Sequence, residues 1–471
     1  MLFNSLGFVV FMAVVLLFYY SPWLPWNNKK RMLLLASYIF YGLWNPPLVI
    51  LLWISTIIDW TAGQAMFKET NQNKRRLWLM LSVVANLGFL AFFKYGAFLL
   101  ENFSLLVNAL GLEWSPAKPD IILPMGISFY TFQTMSYSLD IYKRRIEPAR
   151  TFLDFALYVT FFPQLVAGPI VRTEDLVTQF YEPKRATAKQ FFWGAFLLTL
   201  GLFEKVVMAD TLLSGSADAV FGSKQVLHSL DAWTGVLAFS GQIFFDFAGY
   251  STCAIGIALM LGFFMTENFR YPYGAIGFSD LWQRWHITLS TWLRDYLYIP
   301  LGGNKFGSFR TYRNLMVTML LGGLWHGAAW TFVVWGMLHG LYLVVERFFK
   351  QRLTITINFW NGLVLALATY FCVNITWVFF RAPDFNTAAK LLGSMFYFGA
   401  GKAKVLEYNQ ITQVLVVITG LFLCHYLMRN TSVQAVANKT PGWLLGIVWA
   451  AMFVLIVLAQ GSGEQFIYFQ F

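Results

Sequence analysis

Only five histidines occur in this chain of 471 residues, and two of them stand where they can do chemistry. His326 lies inside Met316–Val345, thirty residues without an Asp, Glu, Lys or Arg, in the local sequence Leu321-Gly-Gly-Leu-Trp-His-Gly-Ala-Ala-Trp330. An ionisable side chain in such a stretch must have its desolvation compensated or put to use. Burial disfavours the charged form of imidazole, and the neutral ring can take a proton from a hydroxyl or a thiol. Gly322, Gly323 and Gly327 leave the backbone open to close approach by another helix or by a substrate chain. The plain alternative is a structural histidine hydrogen-bonded between helices.

His286 is the second candidate, with Arg284, Ser290, Arg294 and Asp295 close in sequence; its plain alternative is a solvated interfacial histidine. His339 follows His326 by thirteen residues. On one continuous helix that spacing turns it roughly 220° away, which predicts that it does not share the site. His228 and His425 read as a loop residue and a span-end residue without a role. Asp246 falls four residues after Gln242, on one helical face. Its carboxylate is expected to orient a histidine or a substrate group, or to pair with an arginine such as Arg270 or Arg294. The polar stripe Ser128–Asp140, with Gln133 and Ser136, reads either as the lining of a passage or as ordinary interhelical hydrogen bonding. Phosphate-loop, nucleophile-elbow and His-Glu-x-x-His motifs are absent from the sequence, which removes the parts of ATP-driven transport, serine-esterase and zincin chemistry. Cys253, Cys372 and Cys424 are far apart in apolar segments, so neither a disulfide framework nor a metal site is expected.

The elements that must position these residues are transmembrane helices. Hydrophobic residues make up 58% of the chain and charged ones 12%, with a mean hydropathy of +0.57, a balance that belongs in a lipid bilayer. Apolar stretches recur from end to end, and the expectation is an all-α polytopic protein of about eleven transmembrane helices plus re-entrant or interfacial segments. Leu2–Tyr20 reads as a retained first helix. The 34 Lys+Arg against 23 Asp+Glu sit in clusters between spans, so the basic excess speaks for membrane topology and not for nucleic acid. Asn27–Arg31, Lys68–Arg76 and Lys143–Arg150 are read as cytoplasmic loops, with a helical hairpin broken at Trp44-Asn45-Pro46-Pro47 and the N-terminus outside. Abundant Trp and Tyr near span ends read as an interfacial belt. Polar segments are too short for a separate domain, so residues 1–471 are expected to form one membrane domain. In the centre, Ser279 is expected to cap a helix Leu281–Leu297 that ends at Pro300 and Gly302-Gly303, too polar all round to face lipid.

These residues stand in longer segments that resemble a known family. The segments are Asp280-Leu-Trp-Gln-Arg-Trp-His286-Ile-Thr-Leu-Ser-Thr-Trp-Leu-Arg-Asp-Tyr-Leu-Tyr-Ile-Pro-Leu-Gly-Gly-Asn304 and Tyr312 through His326-Gly. Leu123–Tyr130, Phe162–Pro169, Phe245–Ser251, Glu267–Tyr273 and Phe466–Phe471 support them. Over nearly its whole length the chain is similar to the membrane-bound O-acyltransferases, in particular their bacterial polysaccharide O-acetylation branch. That resemblance implies a helical membrane fold with a central passage, His326 as the essential residue and His286 as the second signature histidine. It makes Gln242, Asp246, Arg284, Trp285, Arg294, Asp295, Asn304 and Trp325 candidates to line the donor and acceptor passage. It further implies acetyl-CoA as a cytoplasmic acetyl donor with no permanently bound cofactor, location in the bacterial inner membrane, and delivery of acetyl to alginate, cellulose or peptidoglycan. A secreted or membrane-anchored SGNH-hydrolase-like partner and a polysaccharide synthesis or export complex are the implied associates. The rival readings are a glycan transporter or flippase and a non-catalytic scaffold of an exopolysaccharide assembly.

Overall fold

The structure, a computed structural model, describes residues 1, 3–117, 119–353, 356–397 and 403–459. Leu2, at the start of the expected first helix, and the terminal Phe466–Phe471 lie outside these residues. Among the described residues the chain is helical, and the only extended pairing is a single bridge between Leu227 and Ala403. Among the described residues seven helices are long and apolar enough to cross a membrane: Pro46–Lys68, Gln72–Phe93, Ala188–Phe221, Ser229–Met260, Trp330–Lys350, Phe359–Arg381 and Tyr408–Met428. Three shorter apolar helices, Leu6–Tyr20, Gly96–Ala109 and Gly442–Leu458, accompany them. The protein is therefore an all-α, multi-pass membrane protein. Two compact units can be distinguished, residues 1–198 with 253–266, and residues 199–252 with 267–471.

In the first unit the break at Asn45 has a direct cause. Pro46 and Pro47 push the preceding residue out of helical conformation; Asn45 is extended, and the chain re-enters a helix at Val49. The basic clusters are less loop-like than expected. Asn27–Arg31 opens the helix Trp26–Gly42, and Lys30 is buried there against Asp154 at 2.6 Å. Arg75 lies within the helix Gln72–Phe93, stacked on Tyr142 and bonded to that residue's carbonyl. Partnering inside the fold thus explains charges that composition assigned wholly to topology. The stripe along Ile127–Tyr142 is interhelical bonding: Gln133 donates to the Tyr158 carbonyl, Thr134 to Asn86, and Ser82 to Ser138. At its heart Asp59 is fully buried and accepts from Ser82 and from the Asn86 amide.

The second unit holds the residues singled out for chemistry. Its core runs from Ala209 to Tyr426 and is rich in aromatic rings, among them Phe239, Trp285, Trp335 and Trp377. The helix bearing His326, Gly307–His326, stops at that residue; Gly327 is extended and a new helix, Trp330–Lys350, begins three residues later. The two pack closely through small residues. A Cβ on Gly323 would lie 2.3 Å from the Phe332 carbonyl, and one on Gly336 would lie 2.3 Å from the Met319 carbonyl. Gly327 is closed in the same way by the Phe332 ring. The glycines around His326 therefore admit a helix and an aromatic ring, not a substrate chain.

The expected single helix Leu281–Leu297 is broken. Phe278–Trp282 and Ile287–Leu293 are separate helices, and between them His286 has a left-handed backbone with φ of 42°. A wide π turn, Arg294–Tyr298, follows before Pro300 and the Gly302-Gly303 turn end the segment. Ser279 is not the cap: the helix starts after Gly277, and the carboxylate of Glu346 accepts the backbone N–H groups of both Phe278 and Ser279. A residue 67 positions downstream performs the capping, which local sequence cannot reveal.

Candidate active site

His326 is 3% exposed and sits in a box of aromatic rings. Its ring centroid is 5.0 Å from Trp325, 4.9 Å from Trp335 and 5.3 Å from Phe380, each near edge-on. The same Trp325 indole lies 5.9 Å from His286, so one ring links the two candidate histidines. The interruption after His326 also changes the place of His339. Because the helix is not continuous, the 220° argument fails: His339 packs on Trp335 at 4.6 Å, on the indole that also contacts His326. Its Nε2 is 3.0 Å from the Thr376 hydroxyl.

His286 is fully buried. Its Nδ1 is 3.0 Å from the side-chain oxygen of Asn268, which also accepts from the Thr288 hydroxyl at 2.9 Å and the Thr288 backbone N–H at 3.3 Å. Phe247 meets the ring edge-on at 4.7 Å, and Phe269 lies stacked at 6.3 Å. His286 falls outside the seven candidate spans, and burial alone pushes its pKa down to about 3, so the imidazole is neutral. The solvated alternative is thereby removed.

Trp285 belongs to the same aromatic cluster, 5.1 Å from Trp377, which in turn stacks with Trp335 at 6.2 Å. The charged candidates have other engagements. Arg284 is clasped by Asp280 at 2.7 Å and by the Arg429 carbonyl at 2.7 Å. Arg294 pairs with Asp295 at 2.7 Å on the π turn, and Asn304 is exposed in the turn beyond it. For Asp246 the structure shows an ion pair with a lysine. Its partner is Lys205 at 2.5 Å, and Lys205 also holds Asp210 at 2.7 Å. Lys205 and Asp210 lie on the wide-turn section Phe203–Ser214, a winding that brings residues five apart side by side. Gln242, one turn before Asp246, is buried. His228 accepts the Leu230 N–H beside the start of Ser229–Met260, and His425 accepts the backbone N–H of Tyr273, fixing the Tyr-Pro-Tyr-Gly turn. Both serve local structure.

Two residues escaped sequence reasoning. Lys205 falls with Glu204 and Asp210 in the middle of the largely apolar stretch 188–221, where a charge needs a partner, and that was the signal available. Asn268 stood in one of the supporting segments, but a lone amide eighteen residues before His286 carries no signal of contact. Among the described residues no group of three or more His, Cys, Asp or Glu side chains is gathered to hold a metal ion.

A membrane-embedded helical chain with a buried, ring-enclosed pair of histidines is the setting in which the family becomes plain: residues 43–375, which contain both histidines, match the model of the membrane-bound O-acyltransferase family, and the chain belongs to it. It is thus an enzyme, an O-acyltransferase, which decides against the transporter and scaffold alternatives. Among its relatives is the probable alginate O-acetylase AlgI of Pseudomonas putida, 38% identical over all of both chains. The peptidoglycan O-acetyltransferase of Helicobacter pylori is 39% identical, covering 78% of this chain and 73% of that one. A more distant relative is the teichoic acid D-alanyltransferase of Bacillus subtilis, 25% identical over 57% of this chain and 71% of its own.

Proposed function

We propose that this enzyme transfers acetyl groups from acetyl-CoA to an extracellular polysaccharide of the alginate or cellulose type, working in the bacterial inner membrane with His326 as general base. The observation that carries the reading is the burial of His326 at the abrupt end of its helix, enclosed by Trp325, Trp335 and Phe380. Such a site excludes water, which would otherwise compete as acceptor. Full-length similarity to a protein named as an alginate O-acetylase supports acetyl as the group and an exopolysaccharide as the acceptor.

In this account the acceptor hydroxyl gives its proton to the neutral imidazole of His326 while its oxygen attacks the thioester carbonyl carbon. The new C–O bond forms and the C–S bond breaks. The leaving thiolate recovers the proton from the imidazolium, so the products are an acetyl ester and free thiol. The acceptor is either the sugar or a serine of an SGNH-hydrolase-like partner in a polysaccharide synthesis or export complex. His286, one indole away, orients donor or acceptor; Trp285, Trp325 and Gln242 wall the site, while the Arg284 and Asp246 contacts hold the surrounding framework.

The reading is tested by measuring polymer-bound acetyl in cells that produce wild-type protein or His326→Ala at equal membrane levels. Loss of acetyl with unchanged polymer export is the expected result. Full acetylation by the variant removes His326 from the mechanism.

A further inference from the structure

The backbone around His286 is held in a strained state by a segment outside its own helix. Left-handed φ at a residue with a Cβ persists only where neighbouring structure enforces it. Here residues 268–270 run alongside 284–288: the Arg270 N–H donates to the Arg284 carbonyl at 2.9 Å, and the Ile287 N–H donates to the Asn268 carbonyl at 2.8 Å. The two bonds bracket His286. From the same residue the side chain of Asn268 reaches the imidazole itself.

The orientation of that amide is fixed by its partners. A backbone N–H can only donate, and the Thr288 N–H points at the Asn268 side-chain oxygen. The amide nitrogen faces the Ser251 hydroxyl at 3.1 Å. The atom facing His286 Nδ1 is therefore an acceptor, and Nδ1 must carry the hydrogen. A neutral imidazole has one N–H, so Nε2 carries the lone pair. Phe247, Phe269 and Trp325 pack on the His286 ring.

We propose that Asn268 is a positioning residue for acyl transfer: it locks His286 as the Nδ1–H tautomer, so that Nε2 accepts a hydrogen bond from an O–H or N–H group of the substrate. The proposal rests on the acyltransferase reading of the His286–His326 site. It assigns the two histidines different constraints. His286 is pinned by a side-chain amide on one nitrogen and can act only as an acceptor on the other, so it does not supply the N–H that stabilises a developing oxyanion.

The test uses the full chain in proteoliposomes, with steady-state acetyl transfer from acetyl-CoA measured across pH for wild type, Asn268→Ala, Asn268→Asp, His286→Ala, the double variant His286→Ala/Asn268→Ala, and His326→Ala. Asn268→Ala is expected to lower kcat about 10- to 100-fold, the scale of outer-shell partners that orient histidine ligands. If Asn268 acts through His286, the double variant is no slower than His286→Ala alone. Asn268→Asp keeps the acceptor oxygen but adds a charge that favours imidazolium; its activity should be depressed at neutral pH and recover as pH rises, with an acid limb displaced upward from wild type. Multiplying losses in the double variant, or a wild-type pH profile for Asn268→Asp, would mean a structural role only and overturn the proposal. Should the Ala variants fail to fold, the Asp profile decides alone. Retained activity in His326→Ala sinks the functional reading separately, and the double-variant comparison still decides the role of Asn268.

Discussion

The indole of Trp325 stands between His286 and His326, 5.9 Å from one ring and 5.0 Å from the other. Adjacent in sequence to one histidine and across a packed interface from the other, it couples two elements that the chain separates by forty residues. A displacement of either helix is felt at both rings. The site is thus a single packed object and not two independent histidines.

Removal of that ring should show the coupling. Trp325→Ala opens a cavity that costs roughly 3–5 kcal/mol of stability and, by loosening both histidines, lowers acetyl transfer by about 100-fold. Trp325→Phe retains a ring and should lose far less of both. Thermal unfolding in detergent alongside transfer rates checks this; equal activity in the two variants would contradict it.

The buried ion triad makes a second prediction. Lys205 neutralises Asp210 and Asp246 together, so Lys205→Met leaves two carboxylates without their cation. Breaking a buried pair this way costs about 3–5 kcal/mol. Changing both partners as well, Asp210→Asn and Asp246→Asn, should restore most of the loss. The melting temperatures of the single and triple variants measure it, and a triple variant no more stable than Lys205→Met would count against the triad.

Close helix packing beneath the site is a third point of leverage. Gly336→Ala forces a Cβ to within 2.3 Å of the Met319 carbonyl, an overpacking cost of about 1–3 kcal/mol. Gly446→Ala is the control, because nothing beyond its chain neighbours and its own helix backbone lies within 4 Å of the added carbon. The first should lower both melting temperature and activity, and the second should leave activity unchanged. Equal behaviour of the two would show that the helix contact is not tight.

Much of this molecule was legible in its sequence, for reasons that particular residues make clear. The burial of His326 could be expected because a titratable group in thirty residues without Asp, Glu, Lys or Arg is costly, and cost is visible without coordinates. The Asn45-Pro46-Pro47 break was found because proline restricts its own neighbourhood. What escaped depends on partners distant along the chain. The Glu346 cap on Phe278, the Asn268 amide on His286 and the Lys205 bridge to Asp246 join residues 68, 18 and 41 positions apart. His339 was misplaced for the opposite reason: a helix was assumed continuous through Gly327, where the chain is extended. Lys30 and Arg75 looked like topology signals and are also buried partners of Asp154 and Tyr142.

His326 is proposed to perform the proton transfer of acetyl exchange. The most direct measurement is transfer of labelled acetyl from acetyl-CoA by purified protein in liposomes, comparing wild type, His326→Ala and His228→Asn, with melting temperature recorded for each. The account predicts that His326→Ala keeps its fold and loses at least about 100-fold in rate, the range of a removed general base. His228, whose ring accepts the Leu230 N–H at the start of a helix, should be dispensable. A folded His326→Ala protein that transfers acetyl at the wild-type rate would contradict the account.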